Sequence, residues 1–332
     1  MLKCTILDDY QKVATSIGKW SLIEPHVKVQ SFQHHFSNED DLVNAVVDQD
    51  ILVIMRERTL FNAKVLSRLP NLKLLVTSGM RNAAIDLEYA KKQGITVCGT
   101  NNLSEPAAEL AWALMLGMAR NIPQENLALR TNGLWQNSIG TGLNNKQLGI
   151  LGLGKIGTQV AKVGKAFGMN VMAWSQNLTE ELASSCGVSL APSKAFLLEN
   201  SDFVTIHLLL SERTKNLIQA TDIARMRSSA YLINTSRAPI VNESDLVQAL
   251  KDKRIAGAGL DVFDVEPLPM EHPFRTLPNV LATPHIGYVT TENYKIYFEQ
   301  AIENIIAFLN NNPVRTLTTT DAQTIAPNVF NI

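Results

Sequence analysis

The sequence has few cysteines, and this shortage excludes two kinds of structural site. Only three occur in 332 residues, Cys4, Cys98 and Cys186, and they are far apart, with no C-x-x-C or Cys/His ligand spacing. Neither a disulfide framework nor a zinc site is predicted. The adjacent His34 and His35 lie beside a polar run and fit a solvated loop better than a ligand pair. We therefore expect no metal and a reducing, cytoplasmic setting.

Charge of one sign and long apolar runs are also lacking. The net charge is −1, with neither a basic stripe nor an acidic tail, so nothing indicates nucleic acid or an anionic membrane as a partner. No apolar run approaches the roughly 18 residues that a membrane-spanning helix needs. The N-terminus is typical of a first strand and shows no signal-peptide hydrophobic region.

What the chain does have is ordinary globular composition, with 45% hydrophobic and 18% charged residues, over a length that favours two domains. The first hundred residues alternate short apolar runs with helical patterns. The predicted strands are 2–7, 27–32, 51–55, 72–76 and 95–97, and the predicted helices are 40–47, 62–69 and 83–93. This alternation predicts an α/β domain with a parallel sheet and no glycine fingerprint.

A second alternation follows a long helix that starts at Glu105. Pro123 is expected to kink or divide this helix and Gly133 to end it. The later strands are predicted at 170–174, 188–190, 203–207, 231–234, 256–262 and 280–282. A final helix at 290–310 is expected to return to the first domain. We thus predict one domain from residues 1–102 plus 289–332, and a second from 103–288.

The second domain is organised around the stretch LGILGLGKIGTQVAKVGKAFG, residues 148–168. An apolar strand precedes Gly152, Gly154 and Gly157 in G-x-G-x-x-G spacing, and a helical pattern follows them. Gly152 suits a tight turn, Gly154 lets a pyrophosphate approach the backbone, and Gly157 lets the helix pack close to the strand. The helix N-terminus offers N–H groups to phosphates. This motif predicts a doubly wound, Rossmann-type dinucleotide-binding sheet.

Three candidate reactive residues follow predicted strands of that sheet, where ligands bind in such folds. They are Arg237 in TSRAP, Glu266 in FDVEP and His285 in TPHIG. Each alone is compatible with an ordinary loop, but all three fall at one edge. Interconversion of a hydroxy acid and an oxo acid moves a proton. His285 is the candidate to transfer it, because histidine titrates near neutral pH. Glu266 would stabilise its charged form, and Arg237 would hold a substrate carboxylate at two points.

With these residues in place, the chain resembles the D-isomer-specific 2-hydroxyacid dehydrogenases, which include phosphoglycerate, glyoxylate/hydroxypyruvate and D-lactate dehydrogenases. The resemblance covers most of the chain and rests on the glycine block and on the blocks at 201–218, 226–243, 259–267 and 283–287. It implies that Arg237, Glu266 and His285 form the catalytic set. It also implies a flavodoxin-like substrate domain, a Rossmann NAD(P)-binding domain and an active-site cleft between them.

The resemblance implies further binding residues. In the first domain it places substrate contacts at Arg56, Ser78, Gly79 and Met80, and the amides of 78–80 could form an anion nest. The alternative is a surface charge for Arg56 and an ordinary turn for Ser78 and Gly79. Asp261 would hold the nicotinamide carboxamide, although a loop aspartate is equally compatible. Other implied cofactor contacts are Lys155, Ile156, Ser175, Gln176, His207, Thr214, Thr235, Ser236 and Gly287.

The sequence departs from the family pattern at several points. Ser175 stands where NAD-preferring members carry Asp, but Gln176 and Asn177 offer no positive charge for a 2′-phosphate, so both NAD and NADP stay open. Leu209 replaces a usual proline and Ala238 a usual glycine. The chain ends soon after the closing helix, so we expect no appended regulatory domain and no simple serine feedback control.

The leading hypothesis is an oxidoreductase that acts on a small 2-oxo or 2-hydroxy acid, with glyoxylate, hydroxypyruvate and phosphohydroxypyruvate among the substrates left open. A nucleotide-sensing binding protein of the corepressor type is the alternative. Formate oxidation is a third, but the resemblance implies Gln in place of Glu266 for that chemistry. Leu103 and Tyr288 are candidates for setting specificity. The resemblance also implies a homodimer joined through a long helix holding Trp112 and Trp135.

Overall fold

The computed structural model describes residues 1–318, which belong to two compact α/β units. One unit is Met1–Leu103 with the segment that begins at Val289, and the other is Ser104–Tyr288. The first contains a five-stranded sheet and the second a seven-stranded sheet, and every strand pairing in both is parallel. The predicted fold class, two parallel-sheet α/β domains, is confirmed.

The sheet of the first unit has the order β2-β1-β3-β4-β5. Its strands and intervening helices are β1 (Leu2–Ile6), β2 (Val27–Ser31), α1 (Glu39–Val46), β3 (Ile51–Ile54), α2 (Ala63–Leu66), β4 (Leu74–Thr77), α3 (Leu87–Lys92) and β5 (Thr96–Cys98). Strands β3 and β4 are fully buried, and Thr77 at the end of β4 is their one polar residue, as expected for the centre of a parallel sheet.

Two helices of this unit, α2 and α3, are shorter than the hydrophobic pattern predicts. Helix α3 starts at Leu87 rather than residue 83, because the Asp86 carboxylate accepts the Tyr89 N–H and caps the helix there. Helix α2 covers only residues 63–66, where Asn62 accepts the Val65 N–H in the same way. Local capping therefore decides where these helices begin.

The second unit has the strand order β12-β11-β10-β9-β6-β7-β8. Its elements are α4 (Glu105–Ala119), α5 (Ile122–Arg130), β6 (Gln147–Leu151), α6 (Lys155–Ala166), β7 (Asn170–Trp174), α7 (Glu180–Ser185), β8 (Ser189–Leu190), α8 (Lys194–Asn200), β9 (Phe203–Ile206), α9 (Ala220–Ile223), β10 (Tyr231–Asn234), α10 (Glu243–Lys251), β11 (Gly257–Leu260) and β12 (Val280–Ala282). Two apolar clusters bury the two faces of this sheet.

The long helix predicted from Glu105 is divided. Asn121 adopts a left-handed conformation, with φ of 51°, and α5 begins directly after it with Pro123 in its first turn. Trp112 is buried on α4, but Trp135 lies beyond the end of α5 and is 81% exposed. The expectation that one long helix holds both tryptophans is therefore wrong, because the helix ends before Gly133.

The last described helix, α11 (Thr291–Leu309), lies in the first unit. The Phe298 and Trp20 rings pack with their centroids 6.4 Å apart, and the Tyr294 hydroxyl donates a hydrogen bond to the Gln11 side chain. The polar tail of the sequence falls mostly outside the described residues. Among residues 1–318, the helices are all too short or too polar to cross a bilayer.

Candidate active site

Three neighbouring strands carry the predicted catalytic residues. Strand β11 pairs with β10 on one side and with β12 on the other. Arg237 follows β10, Glu266 follows β11 and His285 follows β12. Because the three strands are parallel, their carboxyl ends share one edge of the sheet, which is also the edge where the glycine turn follows β6.

Glu266 and His285 form a short hydrogen-bonded pair. His285 Nδ1 lies 2.6 Å from Glu266 Oε2, and the other carboxylate oxygen, Oε1, accepts the Phe263 N–H at 3.0 Å. The His285 backbone is left-handed, with φ of 53°, and its ring meets the Tyr288 ring edge-on at 5.7 Å. Within residues 1–318, His285 Nε2 has no hydrogen-bond partner. That nitrogen can therefore exchange a proton with a bound molecule.

Asp261 holds the loop that carries His285. The residue is 1% exposed, and its carboxylate accepts hydrogen bonds from the Thr283 hydroxyl at 2.6 Å and from the Ile286 and Gly287 N–H groups at 2.8 Å. Burial raises the pKa of Asp261, and these hydrogen bonds oppose the rise. Besides any contact with a nicotinamide, Asp261 thus fixes the position of the histidine loop.

The turn that carries Arg237 is tied by Asn234, which sequence reasoning did not single out. The Asn234 side chain accepts the Ser236 N–H at 3.0 Å and donates to the Arg237 carbonyl at 3.0 Å. The Ser236 hydroxyl donates to the Leu208 carbonyl, and an Arg237 guanidinium N–H donates to the Ser236 carbonyl at 2.8 Å. An Asn directly before a Thr-Ser pair at a strand end is the sequence signal that predicts such a turn.

The glycine turn leaves open space at the N-terminus of α6. A Cβ on Gly157 would lie 2.0 Å from the Gly152 carbonyl oxygen, so only glycine fits where α6 leaves the strand. A Cβ on Gly154 would meet no atom within 4 Å, and no side chain caps the N-terminus of α6 there. Lys155 and Ile156 begin the helix, where backbone N–H groups lack intrahelical acceptors. The turn therefore fits an anionic group.

Other predicted cofactor residues lie along the same strand ends. Thr235 has a buried hydroxyl with no hydrogen-bond partner among the described residues, as expected for an atom that pairs with a bound molecule. Burial lowers the pKa of His207 to about 4, so its ring, which lies 2.9 Å from the Thr205 hydroxyl, stays neutral. Thr214 is instead engaged in its own turn, where its hydroxyl donates to the Leu209 carbonyl.

The adenosine end of the predicted site is neutral. Ser175 follows β7 directly and is half-buried, while Gln176 beside it is exposed. Neither residue carries a charge that would repel or attract a 2′-phosphate. The local chemistry is thus compatible with either nicotinamide dinucleotide.

In the first unit, Ser78 and Gly79 follow β4 and Arg56 follows β3. The Ser78 N–H donates to the Ile54 carbonyl and the Gly79 N–H donates to the Thr100 hydroxyl at 2.9 Å. A nest of three available amides at 78–80 is therefore not formed, because the protein itself already uses two of them. The Met80 amide remains a candidate.

The Arg56 guanidinium lies over this turn. A Cβ on Gly79, whose φ is 91°, would come within 3.1 Å of Arg56 Nη1. Arg56 Nε is 3.7 Å from a Glu57 carboxylate oxygen, and the Arg56 charge opposes the burial that raises the pKa of Tyr297. Arg56 therefore sits in a fixed cluster rather than as a mobile surface charge.

Comparison with known proteins matches this architecture. Residues 112–287 fit the family model described as D-isomer specific 2-hydroxyacid dehydrogenase, NAD binding domain. A glyoxylate reductase of Korarchaeum cryptofilum is 34% identical over 296 residues, covering 87% of this chain and 88% of that protein. An oxidoreductase of known structure from Ralstonia solanacearum superposes with a TM-score of 0.92 at 36% identity, over 97% of this chain and 98% of that one.

A D-3-phosphoglycerate dehydrogenase of Methanocaldococcus jannaschii is 38% identical over 260 residues, which is 77% of this chain and 49% of that protein. The match thus spans about half the length of that relative. The family model alone covers more than half of this chain, and the match to the glyoxylate reductase is nearly end to end. The chain belongs to the D-isomer specific 2-hydroxyacid dehydrogenase family.

Proposed function

We propose that this protein reduces a small 2-oxo acid to the D-2-hydroxy acid with NADH or NADPH, or catalyses the reverse reaction. The observation that carries the proposal is the 2.6 Å contact between His285 Nδ1 and Glu266 Oε2. It lies at the sheet edge that also carries Arg237 and the open glycine turn. A positioned acid–base group beside a dinucleotide turn is what this chemistry needs.

In the direction of reduction, His285 acts as the general acid. A nicotinamide bound at the glycine turn would supply the hydride to the substrate carbon. His285 Nε2 donates a proton to the substrate oxygen, while Glu266 at Nδ1 stabilises the imidazolium and fixes which nitrogen carries the transferable proton. Arg237 pairs with the substrate carboxylate and polarises the neighbouring carbonyl, a two-point contact that lysine could not make.

The remaining predicted residues bind and orient. Gly152, Gly154, Lys155, Ile156 and Gly157 would hold the pyrophosphate, and the unpaired Thr235 hydroxyl would donate to the cofactor. Arg56 and the Met80 amide would contact the substrate from the first unit. The relatives named above act on glyoxylate or on 3-phosphoglycerate according to their names, so the acid is proposed only as a small 2-oxo acid.

The test is oxidation of NADH and, separately, of NADPH by the full chain with a panel of 2-oxo acids. We expect turnover with at least one acid, and His285→Gln and Arg237→Ala should each lower kcat by about 10²–10⁴-fold. His26→Gln, which changes an exposed histidine in the first unit, is the matched control and should keep full activity. The ratio of the two cofactors shows what Ser175 selects.

Two outcomes would contradict the proposal. One is full turnover in both His285→Gln and Arg237→Ala on every accepted acid. The other is tight binding of both dinucleotides with oxidation of neither, a result that would favour a nucleotide-sensing binding protein.

A homodimer is the assembly that we propose, and exposed apolar side chains support it. They cluster on α5 and the segment after it: Ile122, Leu127, Leu129, Leu134, Trp135 and Ile139. Large apolar patches on a monomer surface mark protein–protein contacts. Sedimentation at micromolar concentration should give a species of about twice the 36.6 kDa chain mass, whereas a stable monomer would refute the proposal.

A further inference from the structure

A second acid–histidine pair ties the Glu266 loop to helix α10. Glu243 is the first residue of α10, and its two carboxylate oxygens contact different parts of the loop at 261–275. Oε2 accepts the Asp264 N–H at 3.0 Å, and Oε1 lies 3.0 Å from His272 Nε2. One carboxylate thus clamps the loop two residues before Glu266 and six residues after it.

The hydrogen bonds of His272 define which of its ring nitrogens carries the hydrogen at this clamp. The Phe274 N–H donates to His272 Nδ1 at 3.2 Å, so Nδ1 must be the unprotonated nitrogen. Nε2 therefore carries the hydrogen and donates it to Glu243. Since the two Glu243 oxygens face different donors, the clamp needs a group that accepts at both of its terminal atoms, which a carboxylate does and an amide, with one oxygen and one NH₂ group, does not.

The clamp connects directly to the catalytic carboxylate through the backbone. Phe263 and Asp264 are consecutive, and their N–H groups go to different acids: Phe263 to Glu266 Oε1 and Asp264 to Glu243 Oε2. Holding the Asp264 amide on α10 also orients the adjoining peptide that holds Glu266. The Phe263 ring is buried against Phe274, at 6.2 Å, so the loop is closed by apolar contact as well.

We propose that Glu243 is a positioning residue for the reaction. It acts through His272 and the Asp264 amide to hold Glu266 against His285, and its role depends on the function proposed above for that pair. Residues that fix the orientation of a catalytic group matter because a displacement of about 1 Å can cost on the order of 10²-fold in rate. A residue that only stabilised the fold would leave the Glu266–His285 contact unchanged.

The variant that tests this is Glu243→Gln, which keeps the side-chain shape but puts an NH₂ group against either the Asp264 N–H or His272. Asp245→Asn is the matched control, because Asp245 lies in the same first turn of α10 but accepts the Ala220 N–H instead of a group in the Glu266 loop. Both variants remove one negative charge from the same helix end. His272→Phe keeps the ring beside Phe274 but removes both ring nitrogens, so it breaks the clamp in a second way if Glu243→Gln folds poorly.

The first readout is the proton NMR resonance of the His285 Nδ1–H group, which a short hydrogen bond to a carboxylate shifts far downfield, assigned by its absence in His285→Gln. We expect this resonance to move or broaden in Glu243→Gln and His272→Phe and to be unchanged in Asp245→Asn. An unchanged resonance in both clamp variants would overturn the proposal. This readout needs no turnover, so it decides the positioning role even if the wild-type protein reduces no oxo acid.

The second readout is kinetic. Glu243→Gln should lower kcat by roughly 10- to 100-fold, with the KM for the dinucleotide unchanged. In a Glu266→Gln background the same substitution should cost less than about twofold, because a residue that acts through Glu266 loses its effect once that carboxylate is gone. Equal losses in the two backgrounds would show an independent role and contradict the proposal.

Discussion

At the strand ends of the first unit, polar groups pair with one another. The Ser78 and Gly79 amides donate to Ile54 and Thr100, and the buried Asp8 carboxylate contacts both the Thr59 hydroxyl and His35. At the strand ends of the second unit, several groups are left for something else. No side chain caps the α6 N-terminus at Gly154, and the Thr235 hydroxyl and His285 Nε2 have no partner within residues 1–318.

The two sheets are thus alike in architecture and different in what their loops leave unsatisfied. Both are parallel, and both carry polar residues where ligands of such folds bind. An unpaired buried polar group costs free energy unless a ligand satisfies it, so such groups mark a binding site more specifically than the fold does. On this argument we expect the catalytic groups to lie in the second unit, because the polar groups cited above for the first unit satisfy one another.

The largest expected difference within the second unit is between two of its glycines. Gly157→Ala places a Cβ 2.0 Å from the Gly152 carbonyl oxygen and should destabilise the fold by about 1–3 kcal/mol or more. Gly154→Ala meets no protein atom and has an ordinary φ of −85°, so stability should change by less than about 0.5 kcal/mol. The measurements are urea unfolding and dinucleotide binding by calorimetry.

The same pair of variants separates packing from ligand binding. If the open space at Gly154 holds the pyrophosphate, Gly154→Ala should weaken dinucleotide binding by roughly 10- to 100-fold, which corresponds to about 1–3 kcal/mol. Unchanged affinity in Gly154→Ala would mean that this turn does not receive the cofactor, and the contrast between the two units would lose its main support.

Much of the second unit could be predicted because its signals are local. The G-x-G-x-x-G spacing between a strand and a helix specifies a turn, and strands β7, β10 and β12 occur with the predicted bounds. Three parallel strands in a row then suffice to bring the ends that carry Arg237, Glu266 and His285 to one edge. Each of these steps follows from apolar runs and turn residues over short stretches of sequence.

Contacts between segments distant in sequence could not be predicted in this way. The Gly79 amide is used by Thr100, 21 residues away, and the Asp264 amide by Glu243, also 21 residues away. Nothing in the local pattern indicates such pairings, because they depend on which loops the sheet order makes adjacent. The anion nest expected at 78–80 failed for this reason, and the Glu243–His272 clamp was missed for the same reason.

A smaller effect is expected from Thr59→Val in the first unit. The Thr59 hydroxyl donates to Asp8 Oδ2 at 2.7 Å, and both residues are buried. Valine keeps the shape but leaves the carboxylate with one donor fewer, so the free energy of unfolding should fall by about 1–3 kcal/mol. Because the polar groups of this cluster satisfy one another and none is proposed to bind substrate, kcat should not change. A loss of turnover without a loss of stability would place Asp8 in the chemistry and break the contrast between the units.

The smallest effect concerns Asp264, a charge in the second unit without a hydrogen-bonded partner for its side chain among the described residues. Burial and the neighbouring Glu243 carboxylate raise the pKa of Asp264 from 3.8 to about 6. The folded state therefore binds this proton more tightly than the unfolded chain, and the stability contributed by Asp264 falls as pH rises from about 4 to about 6.

Asp264→Asn should accordingly raise Tm at pH 8 relative to wild type, and the gain should shrink towards pH 4. Because the group is partly exposed, solvent screens it and the gain should be modest. Asp48→Asn, which removes the charge of an exposed acid in the first unit, is the control variant. A gain in Tm of equal size at pH 4 and pH 8 would mean that the gain does not come from the Asp264 charge, and it would contradict the raised pKa.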